Sequence, residues 1–210
     1  MSNMPPMQPK SSRLLFFERW IRNPFSVASI TPSSAKLAQK MVDAIPLSEG
    51  VVVELGAGTG AITKLLLDSG IAPEMIVIVE RDPHFYDYLS LQYPFCKVVL
   101  GDALSLKAVL ENSGVTSPVR AVVSGLPFLT LSACMQNSLL SQSFAITKDN
   151  GPFIQFSYSV KSPLKPEVRE QLRVKENCTA NVFWNFPPAK VWSFEGFANS
   201  QQKISKYKGE

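Results

Sequence analysis

The chain has 210 residues, 45% of them hydrophobic and 18% charged, with a formal net charge of +4. That suits one α/β domain with a short appendage and argues against a disordered or fibrous chain. No stretch reaches the roughly 20 apolar residues of a spanning helix, and no apolar run opens the chain as a secretory signal does. Cys96, Cys134 and Cys178 are scattered and lack CxxC spacing. They are expected as buried or inert thiols of a reducing compartment. A single histidine, His84, argues against a histidine-based metal site or a Ser–His triad, so no metal is expected. The mild positive charge permits an anionic partner without naming one.

Residues 1–12 are rich in Met, Pro and Ser. A helix is expected over residues 12–22, stopped by Asn23-Pro24. On a helical wheel Leu14, Phe16, Phe17, Trp20 and Ile21 share one arc, with Arg13, Arg19 and Arg22 near its margins or opposite. Thr31-Pro32-Ser33 reads as the start of a second helix over 33–44. Strand and helix then alternate: strands at 51–55, 75–80, 97–100, 120–124 and 152–158, helices at 59–68, 83–92, 106–112 and 131–147. The first four strand runs are short, β-branched and continuous, as in a parallel sheet covered on both faces. Residues 180–186 and 190–196 read as an aromatic-rich antiparallel pair joined at Pro187-Pro188-Ala189. The connection 159–170 is polar and punctuated by proline, a candidate lid or substrate loop. Three segments result: a tail and amphipathic helix at 1–32, the main domain at 33–200, and a polar tail at 201–210.

The densest chemical signal is Glu54-Leu55-Gly56-Ala57-Gly58-Thr59-Gly60, between a strand and a helix. Glycines let the backbone turn tightly and let a ligand approach without a Cβ clash. A dinucleotide loop would read GxGxxG and present a helix N-terminus to a pyrophosphate. Here the spacing is GxGxG, and Glu54 stands two residues before the first glycine. A carboxylate there disfavours a pyrophosphate and suits a cofactor with cationic ends, such as the ammonium and sulfonium of S-adenosylmethionine. Glu80 ends the second strand and can accept from both ribose hydroxyls. Asp102 ends the third and can accept from the adenine amino group. With their neighbours at the strand ends, the candidate cofactor residues are Glu54, Gly56, Ala57, Gly58, Thr59, Gly60, Glu80, Arg81, Asp102, Ala103 and Ser124.

This order of elements resembles class I S-adenosylmethionine-dependent methyltransferases over residues 50–197. The resemblance implies a Rossmann-like α/β fold with a seven-stranded, mostly parallel sheet and an antiparallel C-terminal hairpin. It also implies S-adenosyl-L-homocysteine as product. After the fourth strand, Ser124-Gly125-Leu126-Pro127-Phe128 resembles the acceptor motif of ribosomal RNA adenine-N6 dimethylases, but Gly125 stands where those enzymes carry Asn. A second resemblance takes in the N-terminal helix, the glycine loop, Ser124-Gly125-Leu126-Pro127-Phe128, and Gln155-Phe156-Ser157-Tyr158 followed by Ser162-Pro163. It is to bacterial phospholipid N-methyltransferases, which methylate phosphatidylethanolamine stepwise toward phosphatidylcholine. Relatives acting on other amino lipids, such as ornithine lipids, read similarly, and RNA adenine methylation is the competing class.

The resemblance implies an amino phospholipid acceptor, with nucleic acid not expected as partner and the oligomeric state left open. It implies a cytoplasmic protein, peripheral on the cytoplasmic membrane. Gly125, Leu126, Pro127 and Phe128 are the candidate acceptor residues. Lys161, Lys165 and Arg169 are candidates for the lipid phosphate, or a solvated polar loop. Tyr158 is the candidate for orienting the amine, or a buried tyrosine with a satisfied hydroxyl. The arc of Phe16, Phe17, Trp20 and Ile21, with Arg13, Arg19 and Arg22, suits an interfacial helix on an anionic membrane, or packs on its own domain.

Overall fold

The apolar strands at Val51–Leu55, Ile76–Glu80, Val119–Ser124 and Phe153–Ser157 are buried on both faces, Arg120 being half-buried, whereas Lys97–Leu100 at the sheet edge is mostly exposed; this sheet sets where a ligand can bind. The computed structural model describes residues 32–159, 161–182 and 189–196. In chain order it contains α1 (Pro32–Asp43), β1 (Val51–Leu55), α2 (Ala61–Asp68), β2 (Ile76–Glu80), α3 (Pro83–Gln92), β3 (Lys97–Leu100) and α4 (Leu106–Asn112). There follow β4 (Val119–Ser124), α5 (Ala133–Ile146), β5 (Phe153–Ser157), α6 (Pro166–Gln171), β6 (Lys175–Val182) and β7 (Ala189–Glu195). The sheet has seven strands in the order β3-β2-β1-β4-β5-β7-β6. β1 to β5 are parallel, and β7 runs antiparallel between β5 and β6. This is the Rossmann-like α/β arrangement expected from the sequence, a seven-stranded, mostly parallel sheet with an antiparallel C-terminal pair. The strand order reverses between β1 and β4, the place where open α/β sheets bind ligands beyond their carboxyl ends.

Each face has its own core. Beneath α4, α5 and α6, Phe128, Phe153 and Phe194 pack with ring centroids 5.6 to 6.4 Å apart. Each such ring contributes about 2–3 kcal/mol by burial. On the other face Leu37, Met41 and Ile45, contributed by α1 and the turn after it, pack with Leu66 of α2 and Leu89 of α3. Local signals start the helices. Asp82 accepts from the backbone N–H groups of His84 and Phe85 with Pro83 behind it, and Ser132 caps α5 through Met135 N–H at 3.2 Å.

Two expectations are corrected. The connection 159–170 is not a free polar loop. Leu164, Val168 and Leu172 recur every fourth residue, α6 forms around them, and Leu164 and Val168 are buried. β6 begins five residues before the expected 180, because an edge strand with polar, exposed residues (Glu176 is partly covered) shows no apolar alternation. All three thiols are free, Cys96 buried and Cys134 and Cys178 exposed. The expected helix at 12–22, its membrane-facing residues Arg13, Phe16, Phe17, Arg19, Trp20, Ile21 and Arg22, the turn at 187–188 and the C-terminal tail lie outside the described residues.

Candidate active site

A cleft of about 400 Å³ opens at the carboxyl ends of β1, β2, β3 and β4. The sequence-derived residues Gly56, Gly58, Glu80, Arg81, Asp102 and Ala103 line it from one side. Gly125, Leu126 and Pro127 line it from β4, and Leu131, Met135 and Leu139 add an apolar wall near and on α5.

Close approach of two loops makes the cleft. Gly56 has φ +67°, and a Cβ there would lie 2.5 Å from Leu126 Cδ2. A Cβ on Gly125 would lie 2.7 Å from the Gly56 carbonyl oxygen. The loop after β1 and the loop after β4 therefore meet with no room for side chains at either position. Gly125 N–H donates to the Leu55 carbonyl at 2.9 Å and pins the second loop against the first. Ser124, fully buried, shapes the turn by accepting from Leu126 N–H at 3.2 Å.

Glu80 is 6% exposed, and its carboxylate is fixed by backbone donors. Oε2 accepts from Gly58 N–H at 3.0 Å; Oε1 accepts from Arg81 N–H at 2.9 Å and Asp82 N–H at 3.0 Å. A carboxylate offers about four acceptor positions, so one remains, on Oε2, for a ligand. Asp102 is exposed and accepts from Leu104 N–H at 2.8 Å through Oδ1.

Glu54 is fully buried and does not line the cleft. Thr63 Oγ1 donates to its Oε2 at 2.6 Å, and Oε1 has no partner among the described residues. Burial pushes the carboxyl up to about 7, Thr63 pulls it down, and the charge of Glu80 pushes it up further. Thr59 Oγ1 is likewise buried without a partner. Ala57 and Gly60 complete the loop. Tyr93 at the end of α3 donates its hydroxyl to the Gly60 carbonyl at 3.0 Å and locks the loop from behind.

Other candidates lie elsewhere. Phe128 turns into the core at 2% exposure and cannot reach an acceptor in the cleft. Tyr158 packs edge-on against Phe156, ring centroids 5.9 Å apart, on the α1 face of the sheet. Burial raises its hydroxyl above the ordinary value. Lys161, Lys165 and Arg169 do not line the cleft. The Arg169 guanidinium is paired with Glu176 at 2.9 Å. Among the described residues no group of three metal-ligating side chains assembles, and no helix is long and apolar enough to cross a membrane.

The cleft fits S-adenosylmethionine. Gly56 and Gly58 line it with bare backbone, Glu80 keeps one open acceptor position, and Asp102 is an exposed acceptor on the same edge, a set that matches the hydroxyl and amino donors of that cofactor.

No protein-family profile matches the chain. Over 147 residues it is 33% identical to the ornithine lipid N-methyltransferase of Singulisphaera acidiphila, a match spanning 68% of this chain and 76% of that one. A stretch of 71 residues is 39% identical to ribosomal RNA small subunit methyltransferase A of Maridesulfovibrio salexigens, 33% of this chain and 26% of the other. The crystal structure of the N-methyltransferase NodS from Bradyrhizobium japonicum, in complex with S-adenosyl-L-homocysteine, shares the fold at a TM-score of 0.62 and 12% identity. That superposition covers 87% of this chain and 97% of NodS. With its cofactor cleft intact, the chain belongs to the family of S-adenosylmethionine-dependent methyltransferases that includes the ornithine lipid N-methyltransferase of S. acidiphila.

Proposed function

We propose that the protein transfers methyl groups from S-adenosylmethionine to the amino headgroup of a membrane lipid, an ornithine lipid before phosphatidylethanolamine. The observation that carries this is the long match to the S. acidiphila enzyme, which runs well beyond the cofactor loop. The shape of the acceptor loop supports it. At Gly125 no side chain fits, so the amide that adenine-N6 enzymes use at that position is excluded by the backbone of Gly56.

The cofactor supplies an electrophilic methyl group. The protein aligns it with the acceptor and keeps water out. Gly56 and Gly58 hold the cofactor at the mouth of β1, and Leu126 and Pro127 present the acceptor across the cleft from them. An ammonium has no lone pair to attack with. At a lysine-like pKa near 10.4, only about one amine in a few thousand is neutral at pH 7. The apolar wall of Leu131, Met135 and Leu139 favours that neutral form by desolvation.

Membrane access belongs to the same proposal. We assign residues 12–22 to a cytoplasmic anionic membrane surface, on the strength of the apolar arc of Phe16, Phe17, Trp20 and Ile21 with Arg13, Arg19 and Arg22 around it. Mass spectrometry of lipids from a bacterial host producing the protein tests the reading. N-methylated amino lipids should accumulate with the intact protein and not with a Gly58→Val variant; an unchanged lipid profile would remove the proposal.

A further inference from the structure

The turn that carries Asp102 is held by a glutamine that has no part in the expected site. Asp102, Ala103 and Leu104 line the cleft, and Asp102 Oδ1 accepts from Leu104 N–H at 2.8 Å. The chain then passes through a single 3-10 turn, Ala103–Ser105, into α4. The junction lacks a local cap: Ser105 stands at the N-cap of α4, and its side chain makes no capping hydrogen bond. The first backbone N–H groups of a helix have no partner within it and must be satisfied from elsewhere. Gln142 of α5 does this for one of them. Its Oε1 accepts from Lys107 N–H at 3.1 Å. Its Nε2 donates to the Leu104 carbonyl, which also accepts from Ser138 Oγ at 3.5 Å. One partner is a donor and the other an acceptor, so a single orientation of the amide satisfies both. Met135, Leu139 and Gln142 are spaced i, i+4, i+7 and share one face of α5. Met135 and Leu139 line the cleft; Gln142 does not, and reaches it only through the backbone of Leu104.

Leu104 is thus gripped at both of its backbone polar groups: Asp102 takes its N–H and Gln142 its carbonyl. We propose that Gln142 is a positioning residue for the base of the cofactor. By fixing the backbone of Leu104 it sets the direction of the Asp102 carboxylate, which accepts from the exocyclic amino group of adenine. Asp102 is exposed, and the bond from Leu104 N–H is what orients its side chain among the described residues. A carboxylate already held in place loses less side-chain freedom when a ligand arrives. The proposal concerns the cofactor alone and stands whichever amine is methylated.

Calorimetry with two ligands gives the test: S-adenosyl-L-homocysteine, and its counterpart whose purine lacks the exocyclic amino group. Wild type should prefer the adenine compound by about tenfold or more, the scale of one charge-assisted hydrogen bond. Gln142→Met removes both hydrogen bonds of the amide at nearly the same side-chain length. It should bind the adenine compound about three- to tenfold more weakly and the other within about twofold of wild type, so the preference narrows. Asp102→Ala should abolish the preference, and adding Gln142→Met to it should cost no further affinity, because the glutamine acts through that carboxylate. Gln136→Met is the control. It makes the same substitution on the same helix, but Gln136 donates to the Phe128 and Pro163 carbonyls and leaves Leu104 alone. Its preference should equal that of wild type. Equal weakening of both ligands by Gln142→Met would reduce Gln142 to a general support of α4. Unchanged affinity for both would show that the turn holds itself. A narrowed preference in Gln136→Met would assign the effect to α5 as a whole, and a wild type without preference would remove the amino contact. Each of these results overturns the proposal. Should Gln142→Met not fold, Gln142→Glu takes its place: it keeps the acceptor for Lys107 N–H, loses the donor to Leu104, and is read by the same outcomes.

Discussion

Glu80 and Gly58 form one unit: the carboxylate at the tip of β2 accepts the backbone N–H in the middle of the glycine loop at 3.0 Å. The residue expected to hold the ribose also sets the shape of the loop. Replacing it therefore has two effects. Glu80→Gln puts an amide donor against backbone N–H groups on one side or the other. Cofactor affinity by calorimetry should fall roughly ten- to a hundredfold, the scale of one charge-assisted hydrogen bond. A folded Glu80→Gln protein with wild-type affinity would refute the ribose assignment.

Gly125→Asn installs the residue that adenine-N6 enzymes carry. Here its Cβ would lie 2.7 Å from the Gly56 carbonyl oxygen, a backbone atom that cannot swing aside. The two loops must part, at a cost of about 1–3 kcal/mol, typical of overpacking. The expected outcome is a lower melting temperature and weaker cofactor binding, with no methylation of ribosomal RNA. A Gly125→Asn protein as stable as wild type would show the loops are not in contact.

Glu54 makes stability depend on pH in a stated direction. Its carboxyl sits at about 7 in the folded chain against 4.5 for an ordinary glutamate. The folded state therefore binds more protons than the unfolded state between those values. The contribution is fully present below about pH 4.5, and it is lost as pH rises through about 7. Glu54→Gln removes the titration and should flatten the fall in melting temperature between about pH 5 and 8. A wild-type curve flat over that range would contradict the buried, protonated acid.

Much of the site was legible because backbone geometry dictates residue type. The glycines at 56, 58 and 60 all have positive φ, and acids at the ends of β2 and β3 face the same edge. What lay hidden has physical reasons. The direction of Phe128 is set by a short 3-10 turn, Phe128–Thr130, that carries the ring back into the core. Tyr158 continues the alternation of β5 and so falls on the face opposite Gln155. Nothing in the sequence marks Gln136 or Gln155 as buried; tertiary structure buries both. The spacing of Leu164, Val168 and Leu172 was a readable signal for α6, outweighed by the polar residues between them.

The membrane proposal separates into two terms. Replacing Arg13, Arg19 and Arg22 with Ser should abolish the preference for anionic vesicles, since each cation contributes on the order of 1 kcal/mol at such a surface. Replacing Phe17 and Trp20 with Ser should lower flotation on all vesicles at any salt concentration. Cofactor affinity should persist in both. Flotation unchanged in both variants would show that lipid access does not depend on this segment.

The most direct test supplies the purified protein with methyl-labelled S-adenosylmethionine and offers three acceptors in parallel: vesicles containing ornithine lipid, vesicles containing phosphatidylethanolamine, and ribosomal RNA. Label should enter the lipid fraction, fastest with ornithine lipid, with S-adenosyl-L-homocysteine released in equal amount. Label on the RNA, or on neither lipid, would contradict an amino-lipid N-methyltransferase.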